Sequence, residues 1–295
     1  MIFEPNFTIL GITFTSDLDI MTISILGCGW LGLPLGERLL GNGNTIEGST
    51  TSEEKLSLLK DRGIKPFLIT LDPELHCDNC KDFWQADVLV LNIPPSRGEE
   101  NVMDFYIKQI TAVIEKLEQS PISLVVFASS TSVYPDKSGI VDEVDAKPGK
   151  AKRNSGNALL EAEQLLLSQK EFKTTVLRFG GLYGYDRHPA KYLAGRKNLE
   201  RGNAPVNLIH RDDCIAIIQK IIEENVTGQI FNAVSDGHPP KKMYYPAVAK
   251  ALGLQPPTFK EDSGKNYKIV SNEKLRLILN YSFKYPNPMD KLDLD

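Results

Sequence analysis

From Thr22 onward the chain alternates between two hydrophobic rhythms. Short, nearly unbroken apolar runs such as Asp87-Val-Leu-Val-Leu-Asn92 and Ile122-Ser-Leu-Val-Val-Phe-Ala128 are separated by longer stretches whose apolar residues recur every three or four positions. The unbroken runs predict strands covered on both faces, and the wider spacing predicts amphipathic helices. The order reads strand, helix, strand, helix over 22–27, 30–40, 45–50, 52–62, 66–71, 87–93, 100–118, 122–130 and 157–169, followed by a strand at 174–179. Such alternation predicts an α/β chain on a doubly wound parallel sheet. Between Tyr183 and Pro205 the rhythm gives way to glycine, proline and charge. It returns as a strand and helix at 207–222, a strand at 229–233 and a helix at 245–252. The expected organisation is a dispensable extension over 1–20, a sheet-and-helix body over 21–176, and a smaller C-terminal lobe over 177–295 interleaved with the last sheet elements.

The first strand runs into Gly27-Cys-Gly29-Trp-Leu-Gly32, and an amphipathic helix follows. In a Rossmann-type sheet this is a dinucleotide turn. Gly27 allows the tight reversal, Gly29 lacks the Cβ that would block a pyrophosphate, and Gly32 lets helix and strand approach, while the helix N-terminus offers free N–H groups and positive potential. Thr45–Thr50 as the next strand completes a βαβ unit of about 30 residues. The body is therefore read as an NAD(P)-binding domain. Trp30 and Leu31 belong to its phosphate turn. Ser49, Thr50 and Thr51 stand at the adenosine end, and Asn92, Ile93 and Pro94 at the switch point of the sheet.

Composition removes other classes. With 295 residues, 41% of them hydrophobic, the chain can bury a large core. A formal net charge of −4, without a dense Lys/Arg run, offers no field for a nucleic-acid backbone. No apolar run approaches the roughly 18 to 20 residues of a membrane span. A cytoplasmic monomer or homodimer acting on a small-molecule substrate is the expectation, with neither nucleic acid nor membrane as partner. Cys77 and Cys80 have the spacing of a redox pair or half a zinc site, but no second pair completes four ligands. They are read as incidental thiols in a loop, and no metal is expected.

Five segments in order resemble the extended and atypical branches of the short-chain dehydrogenase/reductase superfamily, the epimerase/dehydratase-like group: the glycine turn, Asp87–Pro95, Ser129-Ser-Thr-Ser-Val-Tyr134, Leu177-Arg-Phe-Gly-Gly-Leu-Tyr-Gly184 and Asn207-Leu-Ile-His-Arg-Asp-Asp213. The resemblance implies that Ser130 holds the reacting oxygen. It also implies a Tyr-x-x-x-Lys pair for proton transfer, because a phenol with a pKa near 10 needs an adjacent ammonium to work at neutral pH. Counting from either flank puts these two at Ser155 and Leu159, and a shifted alignment puts them at Arg153 and Asn157. The pair is missing in both. Tyr134, Tyr183, Lys152 and His210 are the candidate substitutes, and Tyr134 is taken with Ser130 as catalytic. Two classes stay open: an NAD(P)-dependent oxidoreductase or epimerase on a small or nucleotide-sugar substrate, and a non-catalytic NAD(P) redox sensor or regulatory protein.

At the tip of the second strand neither cofactor marker is present: no acid for a ribose hydroxyl, no Arg for a 2′-phosphate. Glu47 has the right count from Gly27 but lies inside the strand. The hydroxyls of Ser49 to Ser52 and the nearby Lys55 tolerate a phosphate, so NADP is expected ahead of NAD.

Overall fold

Aliphatic runs become the interior strands of a single sheet. The computed structural model describes residues 20–96, 101–261, 264 and 267–290. Strands β1 (Thr22–Leu26), β2 (Thr45–Thr50), β3 (Lys65–Leu68), β4 (Val88–Leu91), β5 (Leu124–Ser130), β6 (Lys173–Phe179) and β7 (Ile230–Ala233) form a seven-stranded sheet in the order β7-β6-β5-β4-β1-β2-β3. Every neighbouring pair is parallel, with Ile25 opposite Gly48 on one side and Val90 on the other. The helices are α1 (Gly32–Leu40), α2 (Glu54–Asp61), α3 (Val102–Leu117), α4 (Asn154–Leu167), α5 (Arg211–Glu223), α6 (Lys241–Ala251) and α7 (Glu273–Ile278).

Two cores sandwich the sheet. Ile110 and Val113 of α3 and Ala158 and Ala162 of α4 pack with Val125 and Phe127 on one face. On the other, Leu35 and Leu39 of α1 and Ile218 and Ile221 of α5 pack with Ile23, Ile25 and Phe231. Each fully buried aliphatic side chain contributes about 1.5–3 kcal/mol. A third, smaller core joins Tyr183, Val206, Leu208, Tyr244 and Val248.

Two short parallel pairs tie the irregular segments to the sheet's C-terminal edge: Gly181–Tyr183 with Leu208–His210, and Gly139–Val141 with Lys268–Val270. The second pair and α7 were absent from the sequence reading, because three-residue strands carry no periodic signal. The expected strand at 66–71 is divided. Its last two residues, Thr70–Leu71, pair antiparallel with Leu75–His76. Cys77 and Cys80 are joined in a disulfide, which corrects the reading of two incidental thiols. Asn79, at a φ of +57°, turns the loop back so that the two Cα atoms stand 5.9 Å apart. No described helix is long and apolar enough to cross a membrane. The leader over 1–19 lies outside the described residues.

Candidate functional site

A cavity of about 1060 Å³ opens where β1, β2, β4, β5 and β6 end. Strand order reverses between β1 and β4, so their outgoing loops diverge and leave a crevice. Its floor is the glycine turn. Gly27 has a φ of +108°, and a Cβ there would lie 2.5 Å from the Asn92 carbonyl oxygen. A Cβ on Gly32 would lie 2.3 Å from the Gly27 carbonyl oxygen. Around Gly29 there is nothing within 4 Å of the position a Cβ would take. Two of the glycines thus close the backbone onto itself, and the third leaves open space at the start of α1, whose N-cap has no side-chain hydrogen bond. That is a shape for a phosphate group.

The turn is braced from two strands. Gly27 N–H donates to Ser49 Oγ at 2.9 Å, Cys28 N–H to the Ser49 carbonyl at 2.9 Å, and Asn92 Nδ2 to the Gly27 carbonyl at 3.0 Å. Burial pushes the Cys28 thiol up to about 12, so it is inert at neutral pH. Trp30 donates from Nε1 to Asp186 at 2.7 Å, and the guanidinium carbons of Arg187 and Arg211 lie 5.2 and 4.9 Å from its ring centroid. Gly27, Gly29, Trp30, Leu31, Ser49, Thr50, Thr51, Asn92, Ile93 and Pro94 all line this one cavity, whereas Gly32 sits behind it as packing. Lys55 also lines the cavity. Glu47 is buried inside β2 and pairs at 2.8 Å with Lys65, away from the cavity lining.

At the other end stand Ser130, Thr131 and Ser132. Ser130 Oγ accepts from Ser132 N–H at 3.1 Å. A Cβ on Gly156 would lie 2.3 Å from the Ser132 carbonyl oxygen, so its absence lets α4 close onto this turn. Leu159, at the position of the expected lysine, then forms part of the cavity wall, and Ser155 does not.

The substitutes named from sequence lie elsewhere. Tyr134 is 1% exposed; its hydroxyl donates to Asn232 Oδ1 at 2.6 Å and accepts from Arg178 at 3.0 Å. Arg178 also forms a buried ion pair with Glu163, at 2.6 Å. Burial, only partly offset by Arg178, pushes the phenol up to about 12, and it does not line the cavity. Tyr183 is in the third core. His210 stacks on Tyr285 with centroids 3.8 Å apart and accepts from Asp212 N–H at 3.2 Å. Lys152 is exposed and pairs with Asp136 at 2.7 Å. None of the four lines the cavity.

What the sequence reading missed is Lys268. It lines the cavity and donates to the carbonyls of Tyr134 and Pro135 at 3.4 and 3.2 Å. Burial pushes its ammonium below the usual lysine value. Asn207 positions its strand, donating to the Lys268 carbonyl at 3.1 Å and accepting from Val270 N–H at 2.8 Å. The charged side chains lining the cavity are therefore Lys55, Arg187 and Lys268, with no carboxylate among the described lining residues. On a chain of net charge −4 this is an anion-seeking cleft.

No family model matches the chain. Among curated proteins it is 34% identical to Protein YeeZ of Escherichia coli (strain K12) over 274 residues, 90% of this chain and 97% of that protein. Among solved structures it is similar to a putative NAD-dependent epimerase/dehydratase from Methylobacillus flagellatus, at 25% identity, a TM-score of 0.65, and coverage of 91% of this chain and 94% of that one. A short-chain dehydrogenase/reductase superfamily protein from Agrobacterium tumefaciens, solved with bound NAD, shares the fold at 17% identity, a TM-score of 0.71, and coverage of 92% and 94%. With the glycine turn, the parallel sheet and these likenesses together, the chain belongs to the family of Protein YeeZ, within the epimerase/dehydratase-like part of the short-chain dehydrogenase/reductase superfamily.

Proposed function

We propose that this protein binds NAD(P) along the cleft and acts as an oxidoreductase or epimerase on a small or nucleotide-sugar substrate. The observation that carries the reading is the open space at Gly29 within a cleft whose charged side chains, among the described lining residues, are all cationic. Gly29 to Leu31 would hold the pyrophosphate, Ser49 to Thr51 and Lys55 the adenosine, and Asn92 to Pro94 the middle of the groove. When bound, the nicotinamide supplies or accepts a hydride. Ser130 would hold the reacting oxygen at the far end. Glu47, committed to Lys65, is no ribose acid, and Lys55 stands where a 2′-phosphate would meet a cation; NADP is therefore the preferred form. The A. tumefaciens fold relative, which carries NAD, supports the cofactor class.

A second reading has its own observation. Leu159 replaces the expected ammonium with an apolar wall, and the Tyr134 phenol is locked in a buried network. Both fit a sensor that has kept the fold and lost the proton relay. One experiment separates the two. Calorimetric titration with NAD and NADP, oxidised and reduced, is run beside a panel of nucleotide sugars and small carbonyl compounds followed at the nicotinamide absorbance band. Binding of a cofactor below about 1 mM, weakened roughly 100-fold or more by Gly29→Trp, is the expected result for either class. Turnover of any panel member identifies the enzyme. A silent panel with a large affinity difference between redox forms identifies the sensor, and no cofactor binding overturns both.

A further inference from the structure

Four cations crowd one carboxylate beside the Ser130 end of the cleft. Asp136 pairs with Lys152 at 2.7 Å and with Arg201 at 3.6 Å, which already satisfies it. Lys268 reaches the Pro135 carbonyl, next to Asp136, at 3.2 Å, and Lys241 is held against the turn that carries Arg201, donating its N–H to the Ala204 carbonyl at 2.8 Å while Ala204 N–H donates to the Arg201 carbonyl at 3.1 Å; both lysines are half-buried. Among the described residues neither has a carboxylate within ion-pair distance. Among the described residues the cluster thus carries four positive charges against one negative.

Stability does not account for this arrangement. Lys241 and Lys242 begin α6, where no acidic residue stands in the first turn and the helix dipole opposes a cation. Nor are the backbone N–H groups there seeking a ligand: Lys241 donates to the Ala204 carbonyl at 2.8 Å, and Lys242 to that of Gly202 at 2.9 Å. The mutual repulsion of half-buried ammonium groups would be relieved by an anion placed among them. Lys268 brings this cluster to the cleft, since two of its three donors are taken by the Tyr134 and Pro135 carbonyls and the side chain lines the cavity.

We infer that Lys241 and Lys268, backed by Arg201 and Lys152, form an oxyanion subsite that receives a phosphate or carboxylate group of the substrate. The inference rests on the proposed function only in taking the cleft's far end as the substrate end. Its recognition is by point charge, which suits a flexible multiply charged group better than a bidentate fork would.

The test is calorimetric titration of the full chain at low salt with inorganic pyrophosphate and with malonate. Pyrophosphate could also seat on the glycine turn, so the titration is repeated in Gly29→Trp, in which the side chain fills the open space. Anion binding should persist in Gly29→Trp, weaken as salt is raised, and fall by more than about fivefold in Lys241→Met/Lys268→Met. Lys241→Arg/Lys268→Arg should retain it, and matching melting curves for both double variants show that folding is not at issue. Tighter binding of pyrophosphate marks a phosphate-bearing substrate, and of malonate a carboxylate-bearing one. No binding of either anion to Gly29→Trp at about 10 mM, or a loss of fivefold or less in the Met double variant, overturns the subsite. The cofactor reading is judged by NAD(P) titration of the same samples, so either can fail alone.

Discussion

Each of the three glycines of the phosphate turn solves a different steric problem, and single methyl groups should separate them. Gly32→Ala would drive a Cβ into the Gly27 backbone at 2.3 Å and should cost about 1–3 kcal/mol of stability, read as a lowered melting temperature. Gly29→Ala meets nothing and should melt like the parent, yet weaken NAD(P) binding. Tyr134, buried behind the cleft, should behave as a structural residue. Tyr134→Phe removes the donor to Asn232 and the acceptor for Arg178, and should cost about 1–3 kcal/mol while leaving cofactor affinity unchanged. Arg178→Met would strand the buried Glu163 carboxylate and should cost more, about 3–5 kcal/mol. At Lys55, replacement by Ala should weaken NADP by about tenfold and NAD hardly at all, by loss of a charge-assisted contact.

Among the elements, α5 holds the segment 281–285. Asp213 in its first turn is fully buried and accepts from Lys284 N–H at 2.7 Å, Tyr285 N–H at 3.1 Å and the Tyr281 hydroxyl at 2.8 Å. Its neighbour Asp212 accepts from Lys284 Nζ at 2.9 Å and the Tyr185 hydroxyl at 2.8 Å. Burial alone would raise the Asp212 carboxyl, but these bonds prevail and hold it below the usual carboxylate range. A depressed folded-state value means that its stabilisation is present above the ordinary aspartate pKa and lost as pH falls through the folded one. Asp212→Asn should therefore melt below the parent at pH 7, and the gap should close as pH drops below about 4.

The parallel sheet, apart from the divided strand at 66–71, and the glycine turn that floors the cleft were legible because both depend on local signals. An apolar run makes a buried strand, and a glycine turn carries its own geometry. The Ser130 end was not legible, because its wall is assembled across long separations. Lys268 arrives through a three-residue strand paired with Gly139–Val141, and no window of sequence near Ser130 contains it. The Leu177-Arg178-Phe179 segment resembled part of a catalytic family, but its arginine turned out to bind Glu163 and Tyr134 behind the cleft. At the scale of the molecule, a chain beginning at Met21 should melt and bind NAD(P) like the full sequence. A fall of more than a few degrees would show instead that the leader packs on the body.

Trp30 forms part of the cleft wall between two guanidinium groups, and the chain has only one other tryptophan, Trp84, which is 6% exposed in the core beneath Phe67 and Phe83. The protein therefore contains its own optical probe. Excitation of indole should report nicotinamide binding as a change in emission, with energy transfer to the reduced ring as a second channel. The change should survive Trp84→Phe and be strongly reduced in Trp30→Phe, which would allow occupancy to be followed in real time without a label.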